Sequence, residues 1–205
     1  MSIKQFLPGF LPWIVFSLVS TRVGPGAVGM AALLAMGVAA AVVVGSLVRG
    51  QSPKLIPVTA GVSFAAMGAW AIAFPASDAF LALYGRGVIG LVLAAVMAVS
   101  LVTRPFTEQF ARASVPAQFW DSPQFHATNR RISAAWAGAV AVMGVGHVIS
   151  GALDANAADY AGYLIVRPGE LLLNWIIPAL ALYAAYRYTR RVLDGVHHSA
   201  ALVTR

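Results

Sequence analysis

AVGMAALLAMGVAAAVVVGSLV, residues 27–48, is a stretch of 22 residues without one charged side chain. As an α-helix it is about 33 Å long at ~1.5 Å per residue, enough to cross a hydrocarbon core of about 30 Å. It has no polar face to turn toward water, so it is not the amphipathic helix of a soluble domain. Further apolar runs occupy 6–20, 55–75, 87–103, 132–153 and 171–186. The breaks between them collect turn formers and charges: Arg22 with Gly24, Pro25 and Gly26; Arg49, Pro53 and Lys54; Asp78 and Arg86; then the longer stretches 104–131 and 154–170. That coincidence is expected where a chain leaves a bilayer. The reading is an all-α, polytopic transmembrane helical bundle of about six spans, forming one integral membrane domain over 1–205.

Composition supports the same class. Of 205 residues, 60% are hydrophobic and 10% charged, against about 25% charged in soluble domains, and mean hydropathy is +0.78. Without cysteine there is no disulfide, no thiolate metal ligand and no cysteine nucleophile. The formal charge of +7 does not indicate a nucleic-acid partner, because the basic residues gather at the ends of apolar runs. Arginine outnumbers lysine 12 to 2 and alanine is abundant, a bias in keeping with a GC-rich bacterial genome.

The run at 6–20 is the exception among the spans. Its 15 residues reach only about 22 Å, and Pro8 and Pro12 interrupt it. It reads as a short tilted span or a re-entrant segment, retained rather than cleaved, since no small-residue cleavage pattern follows a continuous apolar stretch. In a six-span arrangement, Lys4, Arg49, Lys54, Arg104, Arg112, Arg130, Arg131, Arg187, Arg190, Arg191 and Arg205 lie on the side of both termini, 11 cations against the 3 of Arg22, Arg86 and Arg167. Positive loops stay inside, which places both termini in the cytoplasm of a bacterial inner membrane. Small residues stud two runs, Gly29, Ala32, Ala35, Gly37, Ala40 and Gly45 in one, Gly138, Ala141, Gly144 and Gly146 in another. They suit close helix packing within one bundle, with a homo-oligomer or another membrane protein as the alternative use.

Residues 104–131 are more organised than a floppy loop. Phe106 and Phe110 fall four apart on one helical face and Glu108 and Arg112 on another, as in a short helix lying at the membrane surface. Asp121 or Ser122 is placed to cap a new helix with Pro123 in its first turn, leading through Phe125, His126, Asn129, Arg130 and Arg131 into the next span. With Trp120 at headgroup level, Phe106, Phe110, Arg112, Trp120, Arg130 and Arg131 form a candidate interfacial anchor or partner-docking surface.

Ionisable groups inside a span are costly and hence candidates for function. His147 lies in the outer half of the fifth run, Glu170 and Asn174 open the sixth from that side, and Arg86 enters the fourth at the same level. These four are a candidate ligand or proton pathway, Glu170 or Asn174 orienting the imidazole and Arg86 balancing a carboxylate. The alternative is helix-to-helix hydrogen bonding by His147 and Asn174 with Arg86 and Glu170 snorkelling to the interface. One histidine and one carboxylate are too few to hold a metal, and no cofactor is expected. No catalytic constellation is present; His197 and His198 sit in a basic tail suited to anionic lipid.

The N-terminal K-Q-F-L-x-x-F-L-P at Lys4 to Pro12, R-P-F at Arg104 to Phe106, N-x-x-x-x-x-A-W from Asn129 to Trp136 and Y-R-Y at Tyr186 to Tyr188 resemble bacterial multi-spanning proteins of the intracellular septation protein A type. The resemblance implies an inner-membrane protein associated with envelope synthesis or division and supplies no catalytic residues. The expected function is an accessory or scaffold component of the bacterial envelope in contact with membrane lipids. A small-solute or ion permease using the group around His147, with Pro57 and Pro178 inside spans, is the alternative.

Overall fold

The computed structural model describes residues 3–22, 28–157 and 168–203. The turn at Gly24 to Gly26, Arg167 and Arg205 lie outside the described residues, as do the side chains of Lys4, Arg22, His197 and His198.

Helix α1 runs Ile3–Arg22, α2 Val28–Val48, α3 Leu55–Ala73 and α4 Asp78–Ser100, the last entered through a 3-10 turn at Pro75–Ser77. In the connection stand the four-residue α5, Glu108–Ala111, and a 3-10 turn at Ala117–Phe119. Then come α6, Pro123–Ala157, the short α7, Pro168–Leu171, a π-helical turn at Leu172–Ile176, and α8, Ile177–Val203. Among the described residues the fold is all-helical, and five helices are long and apolar enough to cross a bilayer; the apolar part of α1, Pro8–Ser20, is shorter. Outward-facing side chains are apolar too, with Val62 and Ile72 each 68% exposed, as lipid contact requires and water would penalise.

The first helix continues through both prolines rather than breaking at them. Pro8 and Pro12 each remove one intrahelical hydrogen bond, and packing offsets the loss: Pro12 is fully buried, and Trp13 and Phe16 meet Phe64 of α3 at ring-centroid distances of 5.0 and 4.9 Å. Helix α4 starts at Asp78, so Arg86 is not at a membrane entry as the sequence suggests but eight residues, about 12 Å, inside a helix. Helix α6 begins as expected: the Ser122 hydroxyl accepts from the Phe125 N–H at 3.2 Å, an N-cap, with Pro123 in the first turn.

Helix α1 packs on α2 and α3, α2 on α3, α4 on α6 and α6 on α8. One core cluster joins Phe16, Ala32, Ala35, Phe64 and Ile89 across α1 to α4. A second joins Ile56, Leu93, Met97, Ala137 and Val140 with Phe106 and Phe110 of the connection. The Phe106/Phe110 face is thus plugged into the end of the bundle, 0% and 3% exposed, rather than laid on the membrane surface. We call this end, which carries residues 101–122, the connection end.

Candidate functional site

Between α1 and α8, over a floor of α4 and α6, runs a cleft of about 840 Å³. Its walls are apolar for most of their length, from Phe10, Trp13, Leu93, Val140, Met143 and Leu182. Arg86, His147 and Asn174 line the end away from the connection, and Thr189 and Arg190 the other. From Asn174 to Arg190 the chain climbs 16 residues, about 24 Å of helix, most of a bilayer's hydrocarbon thickness.

The polar end is built from three helices. The π-helical turn carries Asn174, only 6% exposed, whose Nδ2 donates to Ser150 Oγ of α6 at 2.9 Å. Its Oδ1 is buried without a donor. Pro178 lies four residues on and has no N–H, so it cannot bond to the Asn174 backbone carbonyl. His147 of α6 faces the Asn174 backbone. Helix α6 comes close enough because Gly146 stands opposite the turn: a Cβ there would lie 3.1 Å from the Leu173 carbonyl oxygen. A π-turn of this kind is a recurrent mark of functional sites. Arg86 lies within electrostatic reach of His147, Glu170 and Asp154, yet has no ion pair among the described residues, where all three converge on Glu108. A half-buried guanidinium at this depth is costly, and Glu170 and Asp154 are the carboxylates near enough to offset part of that cost. Trp13, which lines the cleft, also has a buried indole N–H with no acceptor.

Of the four residues grouped from the sequence, Arg86, His147 and Asn174 are together on one wall; Glu170 is exposed at the rim, and Asn174 rather than Glu170 faces the imidazole. Ser150 and Trp13 were not readable as part of it. The only signal in the sequence was Pro178 four residues after Asn174.

The interfacial group is differently arranged. Glu108, read from the sequence as sharing a helical face with Arg112, has a side chain only 1% exposed. His126 Nδ1 lies 2.8 Å from its Oε1, while Arg112 and Arg104 approach Oε2 at 3.6 and 3.8 Å. The Arg112 guanidinium stacks over Trp120 at 4.8 Å, and the Trp120 indole donates to the Val115 carbonyl at 2.8 Å. Thr107 Oγ1, fully buried, lies 3.0 Å from both oxygens of Asn129 and 2.9 Å from Ser133 Oγ, tying the connection to α6. Arg130 and Arg131 are exposed. The Phe106, Phe110 and Glu108 set therefore locks the end of the bundle, leaving Arg130, Arg131 and part of Trp120 on its surface.

Comparison with protein-family models, with curated proteins and with solved structures finds no match to this chain. The functional reading rests on the geometry of its own residues.

Proposed function

We propose that this is an accessory protein of the bacterial inner membrane that takes up an amphiphile in the α1/α4/α6/α8 cleft and holds it without converting it. The observation that carries this reading is a long apolar wall with a polar group at its far end. Hydrocarbon satisfies the wall, while an anionic or hydroxyl-bearing head meets Arg86, His147 and the unpaired carbonyl of Asn174. A site that is mostly apolar with a few convergent polar groups is the usual build of a small-molecule pocket. A polar solute or bare ion fits this wall poorly, which favours the binding reading over the permease. Both termini belong to the cytoplasmic side on the 11-to-3 distribution of lysine and arginine.

Trp13, Trp136 and Trp175 line the cleft whereas Trp70 and Trp120 do not, so tryptophan emission in detergent reports occupancy. A doxyl-labelled stearate is expected to quench part of the emission saturably, at one molecule per chain. Arg86→Leu is expected to weaken it about tenfold, the effect of losing one hydrogen bond to a charged group. Trp70→Phe should leave the binding constant unchanged. Quenching that rises without saturation, or that Arg86→Leu leaves intact, overturns the proposal.

A further inference from the structure

At the connection end a second, separate pocket of about 590 Å³ opens on the other side of α1. Four cations line it: Arg49, Lys54, Arg104 and Arg112. They come from three places in the chain, and local structure sets each one. Helix α2 ends in a Schellman turn, with Gly50 at φ +67° and bonds from the Gly50 N–H to the Leu47 carbonyl and the Gln51 N–H to the Ser46 carbonyl, each 2.9 Å. That reversal leaves Arg49 at the rim. Lys54, just before α3, donates from Nζ to the Gln109 carbonyl at 2.8 Å, and the Gln109 side chain accepts from the Leu55 N–H at 2.8 Å, so the connection clamps the start of α3. Arg104 and Arg112 are set by Glu108.

The charges do not cancel. Glu108 does not line the pocket and is 0% exposed behind it, with His126 on its other oxygen. Four cations against that one carboxylate leave an excess of three positive charges around a cavity large enough for a phosphate group. Arg49 has no ion pair among the described residues, Lys54 keeps two ammonium hydrogens beyond its bond to Gln109, and the Arg104 side chain is 64% exposed. The pocket lies between the end of α2 at Val48 and the start of α3 at Leu55, the level at which spans meet headgroups.

We propose that this pocket binds a phosphate-bearing anion, its oxygens held by Arg49, Lys54, Arg104 and Arg112. Convergent arginines are the natural receptor for phosphoryl oxygens, and basic pockets between spans take lipid phosphates in the same way. The phosphate belongs either to an anionic lipid of the adjoining leaflet or to a soluble phosphate compound, and the chemistry of recognition is shared. The site is independent of the amphiphile cleft and stands or falls separately from it.

The test titrates the full-length protein in neutral detergent with short-chain phosphatidylglycerol, with phosphatidylcholine of the same acyl chains and with inorganic pyrophosphate, followed by native mass spectrometry. Phosphatidylglycerol binding well above phosphatidylcholine, with pyrophosphate inert, assigns the site to a lipid headgroup; pyrophosphate binding assigns it to a soluble anion. In either case Arg49→Gln and Lys54→Gln are each expected to weaken binding about tenfold, and Arg187→Gln, on the exposed face of α8, should not. Equal retention of phosphatidylcholine and phosphatidylglycerol without pyrophosphate binding overturns the proposal. So does anion binding that Arg49→Gln and Lys54→Gln leave intact while both variants keep the wild-type melting temperature.

Discussion

Glu108 illustrates what a single residue can and cannot disclose from its neighbours in sequence. Its i,i+4 spacing to Arg112 and Arg104 is visible in the string, and both pairs form. The burial is not visible, because it depends on α6 delivering His126 from 18 residues away and on the connection folding under the bundle. Burial changes the energetics. A carboxylate out of water is stabilised only by its partners, and removing one member of such a pair typically costs about 3–5 kcal/mol, against ~1 kcal/mol or less for an exposed ion pair. Glu108→Ala is therefore expected to lower the melting temperature in detergent sharply, while Arg104→Ala, whose side chain is 64% exposed, changes it little. Equal effects of the two would mean that the Glu108 cluster does not hold the connection. His147, Asn174 and Arg86 were legible as ionisable or polar residues interrupting apolar runs; Ser150 was not, since a serine in a membrane helix is common and only its 2.9 Å bond from Asn174 distinguishes it.

Helix pairing turns on where small residues fall. The stripes of glycine and alanine at residues 29–45 and 138–146 were readable as packing faces, but only some of them pack. Gly37 and Gly138 face open space, whereas a Cβ at Gly144 would lie 2.9 Å from the Leu91 amide nitrogen; outside both stripes, and not read as packing residues from the sequence, are Gly87, where a Cβ would lie 2.5 Å from Val148 Cγ2, and Gly151. Gly151 stands directly against the Leu83 carbonyl. These three draw α4 and α6 together, and α4/α6 contact in turn makes the floor of the cleft. Gly144→Leu should push the two helices apart and lower thermal stability, with loss of saturable stearate quenching. Gly138→Ala should be neutral or stabilising, because alanine is favoured over glycine in a helix by up to about 1 kcal/mol and meets no obstacle. Melting curves of both variants check this; a Gly144→Leu variant as stable as wild type would contradict the close approach. The pattern was only partly legible because a helix that is apolar on every side has no polar face to mark which side packs.

For the molecule as a whole, the span count and the side on which the N-terminus lies rest on α1. A continuous 20-residue helix is about 30 Å long, which allows it to cross despite Pro8 and Pro12, and its half-buried Trp13 and buried Phe16 pack on Phe64 of α3. With α1 as a sixth span, cysteines introduced at Ser2 and at Thr204 label from the same side of the membrane in intact cells. Labelling from opposite sides would reduce the spans to five and move the N-terminus alone.

Local chemistry by itself determined that this chain lives in a bilayer, roughly where each span lies, that α6 begins at a capped proline and which polar residues deserve suspicion, because run length, capping and charge are properties of neighbours in sequence. Only the tertiary structure decided that Phe106 and Phe110 close the bundle, that α1 and α8 stand apart over α4 and α6, and that Arg49, Lys54, Arg104 and Arg112 surround one pocket. In lipid, a surface facing a neighbouring helix and a surface facing acyl chains are equally apolar. Hydropathy therefore specifies the spans but not their partners, and partners follow from shape: where glycine admits a backbone, where proline frees a carbonyl, and where a buried charge collects its counter-ions.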